Sequence, residues 1–259
     1  MSLHDPYNFI QYVINANSYT HYLDLGSGNK TFKGGHGGVS CKNKVSVDVE
    51  KKSDYKMHFR DFFTLLKTDE SIEKEYDCIY RDSGYTYEDV KETMYESLEL
   101  LVENGVIICN FSDPQSEKFQ RPIEFCSDDK DWEKGKVGYR KKDGWGMDKW
   151  IGHAWKVLVE MHYDSSILVD VVVIHGDEHD GGIRHGLGIV RKIPQNNNLV
   201  NVKKKLYDRF STDFLSFKYY KEHKNNIMNV IDKDTFLNDY IVYQSHLKSS
   251  FKFWNERGF

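Results

Sequence analysis

The chain has 259 residues, of which 39% are hydrophobic and 14% aromatic, and its formal net charge is −4. This length suffices for one large domain with a core of its own, or for a domain with an appendage. The small, mixed charge argues against a protein held on nucleic acid by a broad basic face, although a local basic patch stays open. Cys41, Cys78, Cys109 and Cys126 form no CxxC pair, which predicts reduced, mostly buried thiols rather than disulfides or a zinc site.

The first residues, "MSLHDPYNFIQYV", contain no basic stretch followed by an apolar one. No apolar run approaches the roughly 20 residues that cross a bilayer. We therefore expect a cytoplasmic protein with neither a signal peptide nor a membrane span.

Predicted helices and strands alternate through the first half of the chain. Apolar residues at helical spacing predict one helix over Asp5–Asn15 and another over Tyr85–Asn104, which Asn104-Gly105 is expected to cap. Four apolar runs predict strands, namely "HYLDLG", Lys44–Glu50, Tyr76–Asp82 and Gly105–Phe111. This order favours an α/β fold with a mostly parallel sheet.

The second half opens with a loop-rich stretch, Ser112–Trp150, whose length is typical of a functional lid or of a disordered segment. A helix is predicted over His153–Tyr163, a strand over Ile167–Gly176 and its hairpin partner over Gly186–Lys192. From Gln195 the chain becomes polar and helical. We expect a main domain over residues 1–194, with the lid-like insert at about 112–150, and a C-terminal helical extension over residues 195–259.

A glycine turn follows the first predicted strand, in "YLDLGSGNKTF". Ligands of open α/β sheets bind at the carboxyl ends of strands, where glycines let the backbone approach closely. Gly26 and Gly28 are present, but Thr31 occupies the third position of a GxGxxG motif, which disfavours a nicotinamide-dependent reductase. Asp48 ends the second strand, where a carboxylate can accept both hydroxyls of a ribose. The pattern favours an adenosine-bearing ligand without a pyrophosphate.

This part of the chain resembles the cofactor-binding motif of class I S-adenosylmethionine-dependent methyltransferases. It has Asp24 on the first predicted strand, the glycine turn after that strand, and Asp48 at the end of the second strand. The resemblance implies a Rossmann-like, mostly parallel, seven-stranded sheet flanked by helices, with S-adenosyl-L-methionine as the cofactor. It places the glycine turn against the amino-acid part of the cofactor and the second-strand acid on the ribose. The implied cofactor-binding residues are Asp24, Gly26, Ser27, Gly28, Asp48, Asp61 and Asp82.

Later segments are similar to one subgroup of this family, the sugar O-methyltransferases of polysaccharide and macrolide biosynthesis. The similar segments are Tyr80–Val90, Gly105–Pro114, Trp155–Met161 ("WKVLVEM") and Val173–Val190. The resemblance implies methyl transfer to a sugar hydroxyl of a nucleotide-sugar or glycan unit. The charge balance disfavours nucleic acid as a partner, and the lack of a long apolar run disfavours a membrane. Whether the protein is a homodimer stays open.

This chain departs from the subgroup where metal-using members hold a divalent cation. Tyr85 replaces a histidine, and Asn110 and Phe111 replace a His-Asp pair after the fifth strand. Because Phe111 cannot ligate and a hard cation needs several oxygens, we expect either metal-independent activity or loss of activity. A divalent metal is disfavoured without being excluded, since Asp113 could substitute. The alternative function is a methyltransferase-fold binding or assembly protein without catalysis.

Methyl transfer to a hydroxyl depends on placing the two reacting groups together, and a general base helps it. The candidate bases are Asp82, Asp113 and His153, each with a structural alternative. Asp82 could cap a helix, Asp113 could form a turn before Pro114, and His153 could be a surface residue at a helix start.

Candidate substrate-binding residues are Tyr85 and three residues of the basic, tryptophan-containing insert, Arg140, Lys141 and Trp145. The two basic side chains suit a nucleotide-sugar diphosphate, and the indole could stack on a sugar ring. The alternative is a solvated loop whose tryptophans dock on the core.

Overall fold

A computed structural model describes residues 6–26, 38–49, 53–82, 86–110, 112–114, 117, 152–173 and 186–257. The first helix, α1, spans Pro6–Asn17, and the first two strands are β1 (His21–Leu25) and β2 (Asn43–Asp48). These are followed by β3 (Tyr55–Lys56), α2 (Phe59–Thr68), β4 (Tyr76–Arg81), α3 (Tyr87–Leu100) and β5 (Leu101–Cys109). The α/β alternation predicted for the first half is confirmed.

The second half contains α4 (Ala154–His162), β6 (Ile167–Val173), β7 (Leu187–Lys192) and α5 (Asn198–Tyr207). A 3₁₀ turn at Thr212–Leu215 precedes α6 (Phe217–Ile227), β8 (Asn229–Asp232) and the short α7 (Lys233–Thr235). A π-helical turn over Phe236–Tyr240 then leads into α8 (Tyr243–Glu256). Among the described residues, no helix is long and apolar enough to cross a membrane.

The described strands form one sheet in the order β3-β2-β1-β4-β5-β7-β6-β8. All neighbouring pairs are parallel except those of β7, which is antiparallel to both β5 and β6. The described part of the sheet therefore has eight strands, and the predicted count of seven is wrong. The additional strand, β8, lies within the predicted C-terminal helical extension and pairs in parallel with β6.

The two faces of the sheet bury separate apolar layers, because side chains alternate along each strand. Leu23 and Ile79 face the layer that includes residues of α2, α3, α4, α5 and α8. Tyr22 and Tyr80 face the opposite layer, where α1 and the π-helical turn pack. Cys41, Cys78 and Cys109 have free thiols, as the cysteine spacing predicts; Cys126 lies outside the described residues.

The predicted helix end at Asn104-Gly105 is wrong, since α3 ends at Leu100 and β5 begins with Leu101. The β4–β5 register shifts between Tyr76 opposite Leu101 and Cys78 opposite Val106, so the Asn-Gly pair belongs to an irregular part of the strand. A Cβ atom at Gly105 would lie 2.9 Å from the Asp77 carbonyl oxygen. The glycine therefore allows a close approach to β4 rather than capping a helix.

A buried polar cluster joins the C-terminal region to the sheet. Asp170 of β6 accepts hydrogen bonds from Asn229 of β8 and from the His246 ring of α8. Lys203 of α5, which is 0% exposed, donates from Nζ to the carbonyl oxygen of His162. Because buried polar groups are costly unless they are hydrogen-bonded, these contacts fix how residues 198–256 pack.

We predict that Lys203 destabilises the folded state near neutral pH. Burial lowers the pKa of this ammonium to about 7, whereas an unfolded lysine has a pKa of about 10.4. Between these values the unfolded chain binds more protons, so the contribution of Lys203 to stability becomes more favourable as pH rises. The free energy of unfolding is measured in urea at pH 7, 8.5 and 10. The value for Lys203→Met minus the value for the parent protein should be largest at pH 7.

The matched control is Lys204→Met, because Lys204 is exposed on the same helix. Its unfolding free energy should differ from that of the parent by the same amount at all three pH values. Parallel pH curves for Lys203→Met and the parent protein would contradict the prediction.

Candidate functional site

The sheet has a topological switch point between β1 and β4. The chain builds β2 and β3 on one side of β1, then crosses to build β4 and β5 on the other side. In open α/β sheets, ligands bind in the crevice at such a point, outside the carboxyl ends of the strands. At this edge the strands end at Leu25, Asp48, Arg81 and Cys109.

Gly26 turns the backbone at the end of β1. Its φ of 98° lies in the region that favours glycine, and its N–H donates to the Val47 carbonyl oxygen of β2 at 2.9 Å. Asp24, two residues earlier, is 0% exposed. The predicted acid and the first predicted glycine therefore lie together at the switch point, while Ser27 and Gly28 fall outside the described residues.

Two further acidic residues flank the crevice on the β2 side. Asp48 is the last residue of β2 and is half-buried. Asp61 lies in the first turn of α2, just after β3, and is exposed. Both are on the side of β1 where the family resemblance places the ribose of the cofactor.

Asp82 lies on the other side of the crevice, directly after β4. Its N–H donates to the Leu25 carbonyl oxygen at 2.8 Å. Its carboxylate accepts from the Tyr80 hydroxyl at 3.4 Å and from Asn110 Nδ2 at 3.3 Å. Burial, together with the nearby Asp82 charge, raises the pKa of Tyr80 well above its ordinary value, so the phenol remains a donor.

Tyr80 was not predicted from the sequence as a site residue, and Asn110 was predicted only as the loss of a metal ligand. Asn110 directly follows β5, and its N–H donates to the Arg81 carbonyl oxygen at 2.9 Å. The period of two along a strand could have revealed Tyr80, because residues 80 and 82 project to the same face. Two neutral donors thus hold Asp82 at the crevice.

Asp113 is 1% exposed and contacts the C-terminal region. The Tyr220 hydroxyl donates to Oδ1 at 3.2 Å, and Lys224 Nζ lies 2.8 Å from Oδ2; both partners belong to α6. Burial, followed by the Asp113 carboxylate, raises the pKa of Tyr220 well above its ordinary value. A role as general base stays a prediction for Asp113, whereas its burial and donors favour anchoring.

His153 occupies the N-cap position of α4, where its side chain makes no capping hydrogen bond. The first turn of α4 lies near Asp113, because the Trp155 ring centroid is 4.5 Å from that of Tyr220. His153 is half-buried, and its role as a base also stays a prediction.

The substrate-binding candidates Tyr85, Arg140, Lys141 and Trp145 lie outside the described residues, as does Phe111. Within the described part of the chain, no group of three or more His, Cys, Asp or Glu side chains could hold a metal ion.

No protein-family model and no curated protein matches this chain. Among solved structures, it is similar to the O-methyltransferase TomG from Streptomyces achromogenes in complex with S-adenosylmethionine, with 10% identity and a TM-score of 0.45. That likeness covers 72% of this chain and 78% of TomG.

A candidate hemolysin from Lactococcus lactis has 12% identity and a TM-score of 0.37, over 79% of this chain and 99% of its own. MycE methyltransferase from the mycinamycin biosynthetic pathway, in complex with Mg and S-adenosylhomocysteine, has 10% identity and a TM-score of 0.36. That match covers 73% of this chain and 51% of MycE, so the chain spans about half the length of MycE. Because these identities and TM-scores are low, the likenesses decide neither the family nor the activity.

We predict that Lys224→Met destabilises the protein by about 1–3 kcal/mol, because the substitution removes the ammonium group that pairs with the buried Asp113 carboxylate. Lys224 retains 30% side-chain exposure and Asp113 only 1%, so water cannot readily replace the lost ammonium. Chemical denaturation measures the effect. The control is Lys221→Met, at an exposed position on the same helix, which should change stability by less than about 0.5 kcal/mol. Equal losses of stability in the two variants would show that Lys224 does not anchor Asp113.

Proposed function

We propose that this protein is an S-adenosylmethionine-dependent methyltransferase. The observation that carries the proposal is the turn at Gly26, which lies at the switch point between the buried Asp24 and the β2-terminal Asp48. A glycine at positive φ lets a ligand approach the backbone, and a strand-tip carboxylate suits a ribose diol. The described residues therefore fit an adenosine-bearing cofactor.

The bound cofactor would supply a methyl group on a positively charged sulfonium, ready for in-line displacement. Asp48 would accept hydrogen bonds from the ribose hydroxyls, and the Gly26 turn would lie against the amino-acid part. The chain's contribution is chiefly positional, since holding the acceptor oxygen in line with the methyl group removes much of the entropic barrier.

Asp82 is the base that the geometry supports best. It is half-buried at the crevice, and its two described donors, Tyr80 and Asn110, are both neutral. A carboxylate at the crevice can take the proton of an acceptor hydroxyl that comes within hydrogen-bond reach. In this proposal Asn110 orients the base and no metal is needed.

We further propose that the acceptor is a sugar hydroxyl of a nucleotide-sugar or glycan unit. This finer assignment is supported by the sequence resemblance in Tyr80–Val90 and Gly105–Pro114. Arg140 and Lys141 are the proposed contacts to a diphosphate.

Asp48→Ala should weaken S-adenosylmethionine binding by about 1.5–3 kcal/mol, the value of a hydrogen bond to a charged group. Isothermal titration calorimetry measures this with S-adenosylmethionine and S-adenosylhomocysteine as titrants. Asp208→Ala, at an exposed aspartate that caps α5, serves as the control and should bind as the parent protein does. Absence of binding by the parent at millimolar cofactor would overturn the proposed function.

Asp82→Asn should lower the turnover of a sugar acceptor by about 10²- to 10⁴-fold, the range for loss of a general base. Release of S-adenosylhomocysteine, measured across a panel of nucleotide-sugars with and without magnesium, provides the assay. Turnover should be the same in EDTA, because Asn110 and Phe111 stand where metal-using members of the subgroup have a His-Asp pair. Cofactor binding without turnover of any acceptor would instead favour a methyltransferase-fold binding protein.

A further inference from the structure

A groove with a volume of about 560 Å³ lies at the amino edge of the sheet and is here called the amino-edge groove. Its lining includes Ile167, the first residue of β6, and Lys192, the last residue of the antiparallel β7. The candidate functional site lies at the opposite, carboxyl edge. What the amino-edge groove binds therefore does not depend on the proposed function.

The buried part of the groove lining is apolar. Leu98 of α3, Ile167 of β6 and Ile193 after β7 are all buried, and the half-buried Tyr95 and Pro194 adjoin them in the lining. Sites for small molecules have volumes of about 300–1,000 Å³ and mostly apolar walls. The groove can therefore cover the hydrocarbon part of a small ligand.

The charged part of the lining is mainly acidic. Glu99, Glu103 and Asp164 line the groove, and none of them forms an ion pair within the part of the chain that the structure describes. The cation among the described lining residues is Lys192, whose Nζ donates to the carbonyl oxygen of Leu101 at 2.6 Å. Three carboxylates thus face one ammonium that is already hydrogen-bonded to the backbone, which favours a positively charged ligand.

The placement of the carboxylates favours an extended cation over a metal ion. Glu99 lies in the last turn of α3, Glu103 in β5, and Asp164 between α4 and β6. Among the described residues, no three acidic side chains could hold a single metal ion together. A ligand that matches these carboxylates therefore carries several positive charges, separated by apolar segments.

The ring of Tyr95 adds a second kind of contact for a cation. Tyr95 precedes Glu99 by four residues on α3, so the two side chains lie on the same face of the helix. Burial, followed by the Glu160 and Asp164 charges, raises the pKa of Tyr95, and its phenol therefore stays neutral. Ammonium groups are attracted to the faces of such rings within about 6 Å.

We propose that the amino-edge groove binds an aliphatic polyamine, which is a chain of methylene groups carrying two or more ammonium groups. The methylene groups contact Leu98, Ile193 and Pro194, and the ammonium groups pair with the carboxylates. A neutral chain lacks the attraction to the carboxylates, and a small hydrated cation gains nothing from the apolar lining. The groove therefore requires both properties in one ligand.

The test is calorimetric titration of the full chain with spermidine. The parent protein should show saturable binding that weakens in 0.5 M salt, because interactions between exposed charges are screened. Hexane-1,6-diol has a chain without charge, and magnesium chloride supplies charge without a chain. Each should bind at least about tenfold more weakly than spermidine.

The double variant Glu99→Gln/Glu103→Gln removes two charges at nearly constant shape. Both positions are exposed, so the variant should fold as the parent does. Its affinity for spermidine should fall by about three- to tenfold, within the range for two exposed ion pairs. The control is Glu222→Gln, at an exposed glutamate of α6 outside the groove, which should bind spermidine as the parent does.

Tyr95→Leu tests the aromatic contact independently of the carboxylates. It keeps an apolar side chain but removes the ring, and the affinity for spermidine should fall by about two- to fivefold. Absence of saturable binding by the parent at millimolar spermidine would overturn the inference. So would unchanged affinity in the double variant, or magnesium binding as tight as that of spermidine. The proposed function is tested separately, by the cofactor titrations.

Discussion

The site depends on backbone hydrogen bonds that continue the parallel ladder just past the strand ends. Gly26 donates to Val47, Asp82 donates to Leu25, and Asn110 donates to Arg81. Each bond ties the first residue after a strand to a neighbouring strand. The rigid sheet, rather than the loops that follow the strands, therefore fixes the positions of the polar side chains at the crevice. This explains how a glycine, a carboxylate and an amide from three different strands meet at one edge.

The C-terminal region is integrated into this arrangement at two places. At the far side of the sheet, β8 pairs with β6, and Asp170 binds both Asn229 and His246. At the crevice edge, α6 holds Asp113 through Tyr220 and Lys224. Removing the region would expose buried charge at both places, so the folded sheet and the segment after β5 depend on residues far along the chain.

The elements predicted best from sequence are those with long, regular patterns. The apolar periodicity of α1, α3 and α4 and the apolar runs of β1, β4 and β6 gave their types and approximate bounds. The patterns failed where an element is short or a signal is ambiguous. Strand β8 has four residues between helices, and Asn104-Gly105 suits an irregular strand as well as a helix cap.

The candidate site was only partly accessible from sequence. Asp24, Gly26 and Asp48 follow from strand ends and glycine chemistry, which are local features. The partners of the other acids are not local, since Asn110 reaches Asp82 across 28 residues and Tyr220 reaches Asp113 across 107. Residue spacing cannot reveal such contacts; they require the crossover that places β4 beside β5 and α6 beside α4.

The two outermost strands of the described sheet have a consequence for behaviour at high concentration. Unpaired strand edges are templates on which other chains can add, and short edge strands are one way in which proteins limit aggregation. Here β3 has two residues and β8 has four, whereas the longest strand, β5, lies in the interior of the sheet. The described edges therefore give a neighbouring chain little length on which to form an intermolecular sheet.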